Sequence, residues 1–258
     1  MNGLRVLVTS GGTSEAIDSV RRITNTSTGR LGSLIADAFT AAGAHVTYLC
    51  GRGAAQPQRA VEAVREIDSV AALGQALEDL LGAAPYACVV HAMAVSDYTP
   101  RRTTTADELA AELHMLLAAE AEMPTPARLG QLVQSALHGQ GAAAAGKISS
   151  ELEDALIVLQ RTPKLIGRIK ALQPGTVLVG FKLLAGVPPQ QLQQVAEGLL
   201  ARNRCDFVLA NDQKGISGDR HEAFLLGPQG VVAHMQTKPE IAEAIAAAVG
   251  QKLSEGNA

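Results

Sequence analysis

"LRVLVTSGGTSEAIDSVRRITNTSTGRLGSLIADAFTAAGAHVTYLC", residues 4–50, decides the fold. Leu4–Val8 is a short apolar run and reads as a strand. Leu31, Leu34, Ile35, Ala38, Phe39 and Ala42 recur at helical spacing, and Gly43 stops the pattern. Val46–Cys50 is a second apolar run, so the stretch reads as a β-α-β unit. Its first crossover is unusual. After Gly11-Gly12 the chain spends about eighteen residues on hydroxyls, arginines and a single amide, Asn25, before the helical pattern begins.

The same alternation continues. A weaker strand at Val61–Ile67 precedes a helix from Ser69 to Leu81 with Ser69 as N-cap. Ala87–Ala92 is a continuous apolar run, the pattern of a parallel strand covered on both faces. A strand at Leu156–Leu159, a helix opened by Thr162-Pro163 and a strand at Val177–Phe181 follow. A helix from Pro189 to Arg202 leads to the strand Phe207–Ala210, with proline at a first helical position that suits it. Ala223–Leu226 and Val231–Met235 flank Gly227-Pro-Gln-Gly230 as a hairpin, and a helix capped by Thr237 closes the chain. The expected fold class is α/β: a doubly wound, Rossmann-like, mostly parallel sheet with an antiparallel C-terminal hairpin. Residues 1–258 read as one ligand-binding domain. Residues 105–146 break the rhythm with two helical stretches and "HGQGAAAAG". They read as a surface excursion ending in a mobile strap rather than a second domain.

Composition narrows the function. The 258 residues are 47% hydrophobic but 3% aromatic, so the core is aliphatic and large enough for one substantial domain. A net charge of −3 argues against nucleic-acid or anionic-membrane partners. No apolar run approaches membrane-spanning length and the N-terminus lacks a signal-peptide layout, which predicts a cytoplasmic protein. Cys50, Cys88 and Cys205 each adjoin apolar runs and read as buried thiols, with no zinc-ligand spacing.

The opening stretch suits an anion. In open α/β sheets ligands bind beyond the carboxyl ends of the strands. Gly11 ends the first strand, and Ser27-Thr28-Gly29-Arg30-Leu31-Gly32 opens the first helix with N–H groups and hydroxyls. Ordinary helix capping would use the same residues. GxxxxGK[ST] and a properly spaced GxGxxG are both absent, so these residues alone give only a phosphate-binding reading.

Six separated blocks are more specific: "GGTSEAIDSVRRITNTSTGRLG", "MAVSDYTP", "KISS", "TPKLI", "GFKLL" and "DFVLAND", in this order. Together they resemble phosphopantothenate–cysteine ligase of coenzyme A biosynthesis, in its stand-alone bacterial form. The resemblance spans nearly the whole chain outside residues 105–146. It implies a two-step reaction of 4′-phosphopantothenate, L-cysteine and a nucleoside triphosphate, CTP or ATP, with Mg²⁺. An acyl-nucleotidylate forms with release of pyrophosphate, and the cysteine amine then displaces CMP. It also implies a homodimer.

The resemblance assigns roles by position. Asn25 matches an essential asparagine that contacts the acyl group. Arg21 matches an arginine that reaches phosphopantothenate of the neighbouring subunit. Gly11, Ser27, Gly29 and Gly32 match nucleotide contacts. Met93 and Ala94 match backbone contacts to the pantothenate arm, and Asp97 matches a substrate-holding acid, though an Asp in this position also reads as a turn or N-cap residue. Lys147 matches a lysine that closes over the triphosphate. Phe181 matches a residue stacked on the base, with a core role as its alternative, and Asn211 another nucleotide-site residue. His91 reads as a core histidine. The metal ligands are left unassigned.

One departure stands out. Bifunctional members of the family carry two lysines four residues apart on the helix before the "AND" strand, where this chain has Leu199 and Asn203. Lys182, beside Phe181, is the candidate for the displaced charge. Two other functions compete: an NAD(P)-dependent reductase, which lacks its glycine fingerprint and Tyr-xxx-Lys pair here, and a non-catalytic nucleotide-binding descendant.

Overall fold

The structure, a computed structural model, describes residues 1–139, 148 and 154–255. The elements run β1 (Arg5–Ser10), β2 (Ser14–Ala16), β3 (Arg22–Thr24), α1 (Arg30–Ala41), β4 (His45–Gly51), β5 (Ala63–Ile67) and α2 (Val70–Ala83). Next come β6 (Cys88–His91), β7 (Tyr98–Thr104), α3 (Ala106–Ala118), α4 (Pro126–Leu137) and β8 (Leu156–Arg161). The chain continues with α5 (Ile166–Leu172), β9 (Val177–Leu184), α6 (Pro189–Asn203), β10 (Phe207–Ser217), β11 (Arg220–Gly227), β12 (Gly230–Thr237) and α7 (Lys238–Glu255). They divide into two compact units.

The first unit comprises Met1–Thr13, Asn25–Val95 and Lys164–Ala258. Its eight-stranded sheet has the order β12-β11-β10-β9-β6-β1-β4-β5. From β5 to β10 all pairings are parallel, whereas β11 and β12 are antiparallel. The parallel part is the doubly wound order in which the chain starts centrally, winds outward one way and then the other. The fold class read from sequence is therefore the one present. The winding across the sheet reverses between β1 and β6, and a ligand crevice forms at such a switch point.

Strand alternation sorts the core onto two faces. Val6, Val8, Cys88, Val90, Val179 and Leu209 point to one face, packed with Ile35 and Phe39 of α1 and Ile241 and Ile245 of α7. Leu7, Val89, Leu178 and Val208 point to the other, under Leu73 and Leu77 of α2, Ile169 of α5 and Leu192 of α6. Two polar residues brace this second layer. Gln173 accepts from the Tyr86 N–H at 2.8 Å and donates to the carbonyls of Leu81 and Ala84 at 2.7 and 2.6 Å. Asp206 accepts from the Leu178 N–H and pairs with Lys170, each at 2.8 Å. Ser69 caps α2 as its sequence predicts, accepting from the Ala72 N–H.

The second unit comprises Ser14–Thr24 and Ser96–Pro163. It starts earlier and ends later than the excursion read from sequence, and takes in part of the first crossover. β2 pairs with β3, and β7 pairs antiparallel with β8. Leu156–Leu159 is therefore not another strand of the parallel sheet. Its side chains are mostly exposed, with Leu159 at 44%, which explains how an apolar run stands outside the core. Thr162 does not open a helix: its hydroxyl donates to the Ser96 carbonyl, its N–H donates to that of Asp97, and α5 begins at Ile166. α3 and α4 fall where the two helical stretches were expected. Buried Arg102 ties them to β7, donating to Glu112 at 2.8 and 2.5 Å and to the Ala136 carbonyl at 2.7 Å. The glycine/alanine run at 140–146, read as a mobile strap, lies outside the described residues. Among the described residues, no helix is long and apolar enough to cross a membrane.

Candidate functional site

The switch point is stitched by backbone. Beyond the ends of β1 and β6, Gly12 pairs with Ala94 in a parallel bridge. The Ala94 N–H donates to the Gly11 carbonyl at 2.8 Å, and the Thr13 N–H donates to the Ala94 carbonyl at 3.1 Å. Asn25 closes over this junction: its N–H reaches the Thr13 carbonyl at 3.4 Å, and its Nδ2 donates to the Ala94 carbonyl at 2.8 Å. A Cβ on Gly12 would stand 2.9 Å from the Asn25 carbonyl oxygen, so residue 12 must be glycine for Asn25 to sit there. Gly11 and Asn25 from one block and Met93 and Ala94 from another are thus brought together.

The α1 N-terminus lies alongside. Its N-cap is Gly29 at φ 75°, with no side-chain capping bond and no acidic residue in the first turn. Ser10 holds the turn from below, its hydroxyl donating to the Gly29 carbonyl at 3.0 Å, while Gly32 packs against the Ser10 side chain. The Ala55 N–H fixes the Thr28 carbonyl at 2.9 Å. Ser27 and Thr28 are exposed. An uncapped helix start free of carboxylates and flanked by hydroxyls favours an anion.

The second half of the sheet supplies the remaining nucleotide candidates from within β9 and β10, which run on past the expected strand ends to Leu184 and Ser217. Phe181 pairs with Leu209 and packs on the α1 and α7 side, and buried Asn211 shares that face through the register Asn211–Leu183. Lys182 alternates to the opposite face. There it shares a side with Gly180, where a Cβ would stand 3.6 Å from Leu199 of α6. Leu199 packs into the α2/α5/α6 core and Asn203 Nδ2 donates to its carbonyl at 3.1 Å. The positions that lack the family's lysines and the lysine that could replace them therefore lie on the same side of the sheet.

Sequence reasoning missed the support under this junction. Thr9 and His91 face each other from β1 and β6, with Thr9 Oγ1 and His91 Nδ1 3.0 Å apart. The Met93 N–H donates to the same hydroxyl at 3.3 Å. Burial pushes His91 down to about 4, so it is neutral at ordinary pH and can accept the Thr9 proton. Met93 is buried and Ala94 half-buried. His91 is thus a satisfied core histidine, and what it satisfies is the hydroxyl that holds the Met93 backbone.

In the second unit, Arg21 is half-exposed and pairs through Nε with Asp18 at 3.0 Å. Its Nη2 donates to the Ile148 carbonyl at 2.7 Å. Asp18 is a further residue that the sequence reading passed over. Hydrogen bonds from the Arg21 N–H, then from Val20, hold its carboxyl at about 2. The D-x-x-R spacing, an aspartate able to accept from the backbone two and three residues on, was the available signal. Asp97 is exposed, and its carbonyl accepts from the Thr162 N–H at 3.0 Å. Lys147 lies outside the described residues.

The chain matches the profile of the DNA/pantothenate metabolism flavoprotein C-terminal domain over residues 1–121 and 138–253. It is 33% identical over 227 residues to a coenzyme A biosynthesis bifunctional protein CoaBC from Thermococcus kodakarensis, covering 88% of this chain and 46% of that protein. A CoaBC protein from Methanocaldococcus jannaschii is 26% identical, with 94% of this chain and 49% of that one covered. The chain thus spans about half the length of these curated relatives. Among solved structures, the DNA/pantothenate metabolism flavoprotein from Streptococcus pneumoniae superposes with a TM-score of 0.80 at 34% identity, covering 97% of this chain and all of that one. A mutant Cab2 in complex with phosphopantothenate-cysteine shares the fold, with a TM-score of 0.67, 15% identity, and 98% and 87% of the two chains covered.

Proposed function

Since the chain belongs to the DNA/pantothenate metabolism flavoprotein C-terminal domain family, we propose that it joins 4′-phosphopantothenate to L-cysteine in coenzyme A biosynthesis, through an acyl-nucleotidylate formed with CTP. The observation that carries this reading is the junction of Gly12, Ala94 and Asn25 beside an uncapped helix start. It offers an acyl-binding amide and an anion-binding turn in one crevice. CoaBC relatives from two archaea and a Cab2 structure holding phosphopantothenate-cysteine support the substrate class.

The chemistry follows from charge and geometry. A carboxylate oxygen of phosphopantothenate attacks the α-phosphorus, and pyrophosphate leaves with the electron pair of the broken P–O bond. N–H groups at Gly29–Gly32, with Lys147, neutralise the triphosphate, and Phe181 and Asn211 hold the nucleoside. The acyl-nucleotidylate is a mixed anhydride and needs no protein nucleophile. The cysteine amine adds to its carbonyl, Asn25 polarises that carbonyl, and CMP departs with the bridging oxygen. Met93 and Ala94 line the pantothenate arm, and Arg21 and Asp97 hold substrate polar groups. A divalent cation such as Mg²⁺ would supply further neutralisation of the triphosphate charge beside the N–H groups of Gly29–Gly32. The working form is a cytoplasmic homodimer in which Arg21 serves the partner's site.

Pyrophosphate release with phosphopantothenate and CTP, measured with and without cysteine and repeated with ATP, tests the reading. We expect release that requires phosphopantothenate, sustained turnover only with cysteine, and faster turnover with CTP. Release of pyrophosphate independent of phosphopantothenate, or none with either nucleotide, would refute it.

A further inference from the structure

The Asp18 side chain is wholly buried, while 46% of the Arg21 side chain is exposed. Oδ1 accepts from the N–H groups of Val20 at 2.8 Å and Arg21 at 2.6 Å, which is enough to make a local turn. Oδ2 does something the turn does not require. It accepts from Arg21 Nε at 3.0 Å and from the Ile148 N–H at 3.1 Å, while Arg21 Nη2 donates to the Ile148 carbonyl at 2.7 Å. Both backbone polar groups of Ile148 are therefore held by two residues about 130 positions earlier. The guanidinium is fixed through Nε and Nη2. Arg21 Nη1 makes no hydrogen bond with the described residues.

We propose that Asp18 is a positioning residue for the ligase reaction: it locks the Arg21 guanidinium so that Nη1 meets an anionic oxygen of phosphopantothenate, and it clasps the chain at Ile148. The proposal rests on the ligase reading. Its physical basis is pre-organisation. An arginine is long and rotamer-rich, and immobilising it before the substrate arrives removes that cost from binding. A planar guanidinium held through Nε and Nη2 is oriented as well as tethered. The carboxyl, held at about 2, stays ionised at every pH at which the enzyme works.

The test is a double-mutant cycle. Asp18→Asn should raise the KM for phosphopantothenate about tenfold, the scale set by one immobilised side chain, with kcat and the KM for CTP nearly unchanged. The Asp18→Asn/Arg21→Ala protein should be no worse than Arg21→Ala alone, because Asp18 acts through Arg21. Multiplying effects would overturn the proposal. Hydrogen exchange of the Ile148 amide, measured without substrate, should speed up in Asp18→Asn; unchanged protection would also overturn it. If the wild-type protein makes no product, the ligase reading fails while the exchange measurement still judges the clasp. Should Asp18→Asn fail to fold, Asp18→Glu takes its place. It keeps the charge, and its smaller rise in KM should vanish in the Arg21→Ala background.

Discussion

Asn25 Nδ2 donates to the Ala94 carbonyl at 2.8 Å, joining the segment between β3 and α1 to the chain leaving β6. That bond spans 69 residues and crosses the switch point of the sheet. It explains why the first crossover is polar: the loop must return over Gly12 and be held there before α1 can start.

Replacing Asn25 by Asp keeps the size but turns a donor into an acceptor facing the Ala94 carbonyl. On the proposed ligase reading it also places negative charge where the acyl oxygen would gain it. Losing such a donor costs about 3 kcal/mol, a hundredfold or more in rate. Formation of the acyl-nucleotide should survive and its transfer to cysteine should fail. Mass spectrometry should then detect phosphopantothenoyl-CMP accumulating in the variant. Near wild-type product formation, or loss of nucleotide binding, would remove Asn25 from this role.

Gly29→Ala should weaken both fold and nucleotide binding. At φ 75° an added Cβ costs about 1–2 kcal/mol, and it would stand 2.8 Å from the Ala54 Cβ. Gly53 has a similar φ of 72° and open space around it, so Gly53→Ala isolates the conformational part. Thermal melting with and without CTP should show the larger loss for Gly29→Ala, and a loss of CTP stabilisation in that variant only. Equal behaviour of the two would show that the α1 turn does not touch nucleotide.

The Thr9–His91 pair predicts a pH dependence. Burial lowers the folded His91 pKa to about 4, against about 6.5 unfolded. Between those values the unfolded chain binds the extra proton, so acid favours unfolding. The His91 contribution is complete above pH 6.5 and is lost toward pH 4, at about 1.4 kcal/mol per pH unit and about 3 kcal/mol in all. Buried His221, also lowered to about 4, acts in the same direction. Urea unfolding between pH 6.5 and 4.5 should therefore show a shallower slope for His91→Gln. An unchanged slope would contradict a neutral His91.

Sequence periodicity made most of the main sheet legible, because the parallel strands other than edge strand β5 are short apolar runs and the covering helices carry an apolar face. It misled at Leu156–Leu159, since an exposed two-stranded ribbon and a buried strand can share the same residues. It stopped short at Ala210, because β10 runs on past polar Asp212, Gln213 and Lys214, where its register with β11 shifts, and pairs with β11 again at Ile216 and Ser217. β2 and β3, three residues each, are too short for any periodicity. Gly11, Asn25, Met93 and Ala94 were marked by motif, and their meeting required the fold. Thr9 and His91 carry no motif of their own, because their partners are distant in sequence, and Asp18 carries only its D-x-x-R spacing, which says nothing of Ile148.

If phosphopantothenate is activated as an acyl-nucleotidylate, as proposed, one of its carboxylate oxygens must end in the released nucleotide. Phosphopantothenate labelled with heavy oxygen in its carboxylate, incubated with the protein, CTP and cysteine, tests this directly. One labelled oxygen should appear in CMP for each phosphopantothenoylcysteine formed, because that oxygen bridges carbon and phosphorus in the intermediate. Product formed with unlabelled CMP, or with the label in inorganic phosphate, would contradict the account.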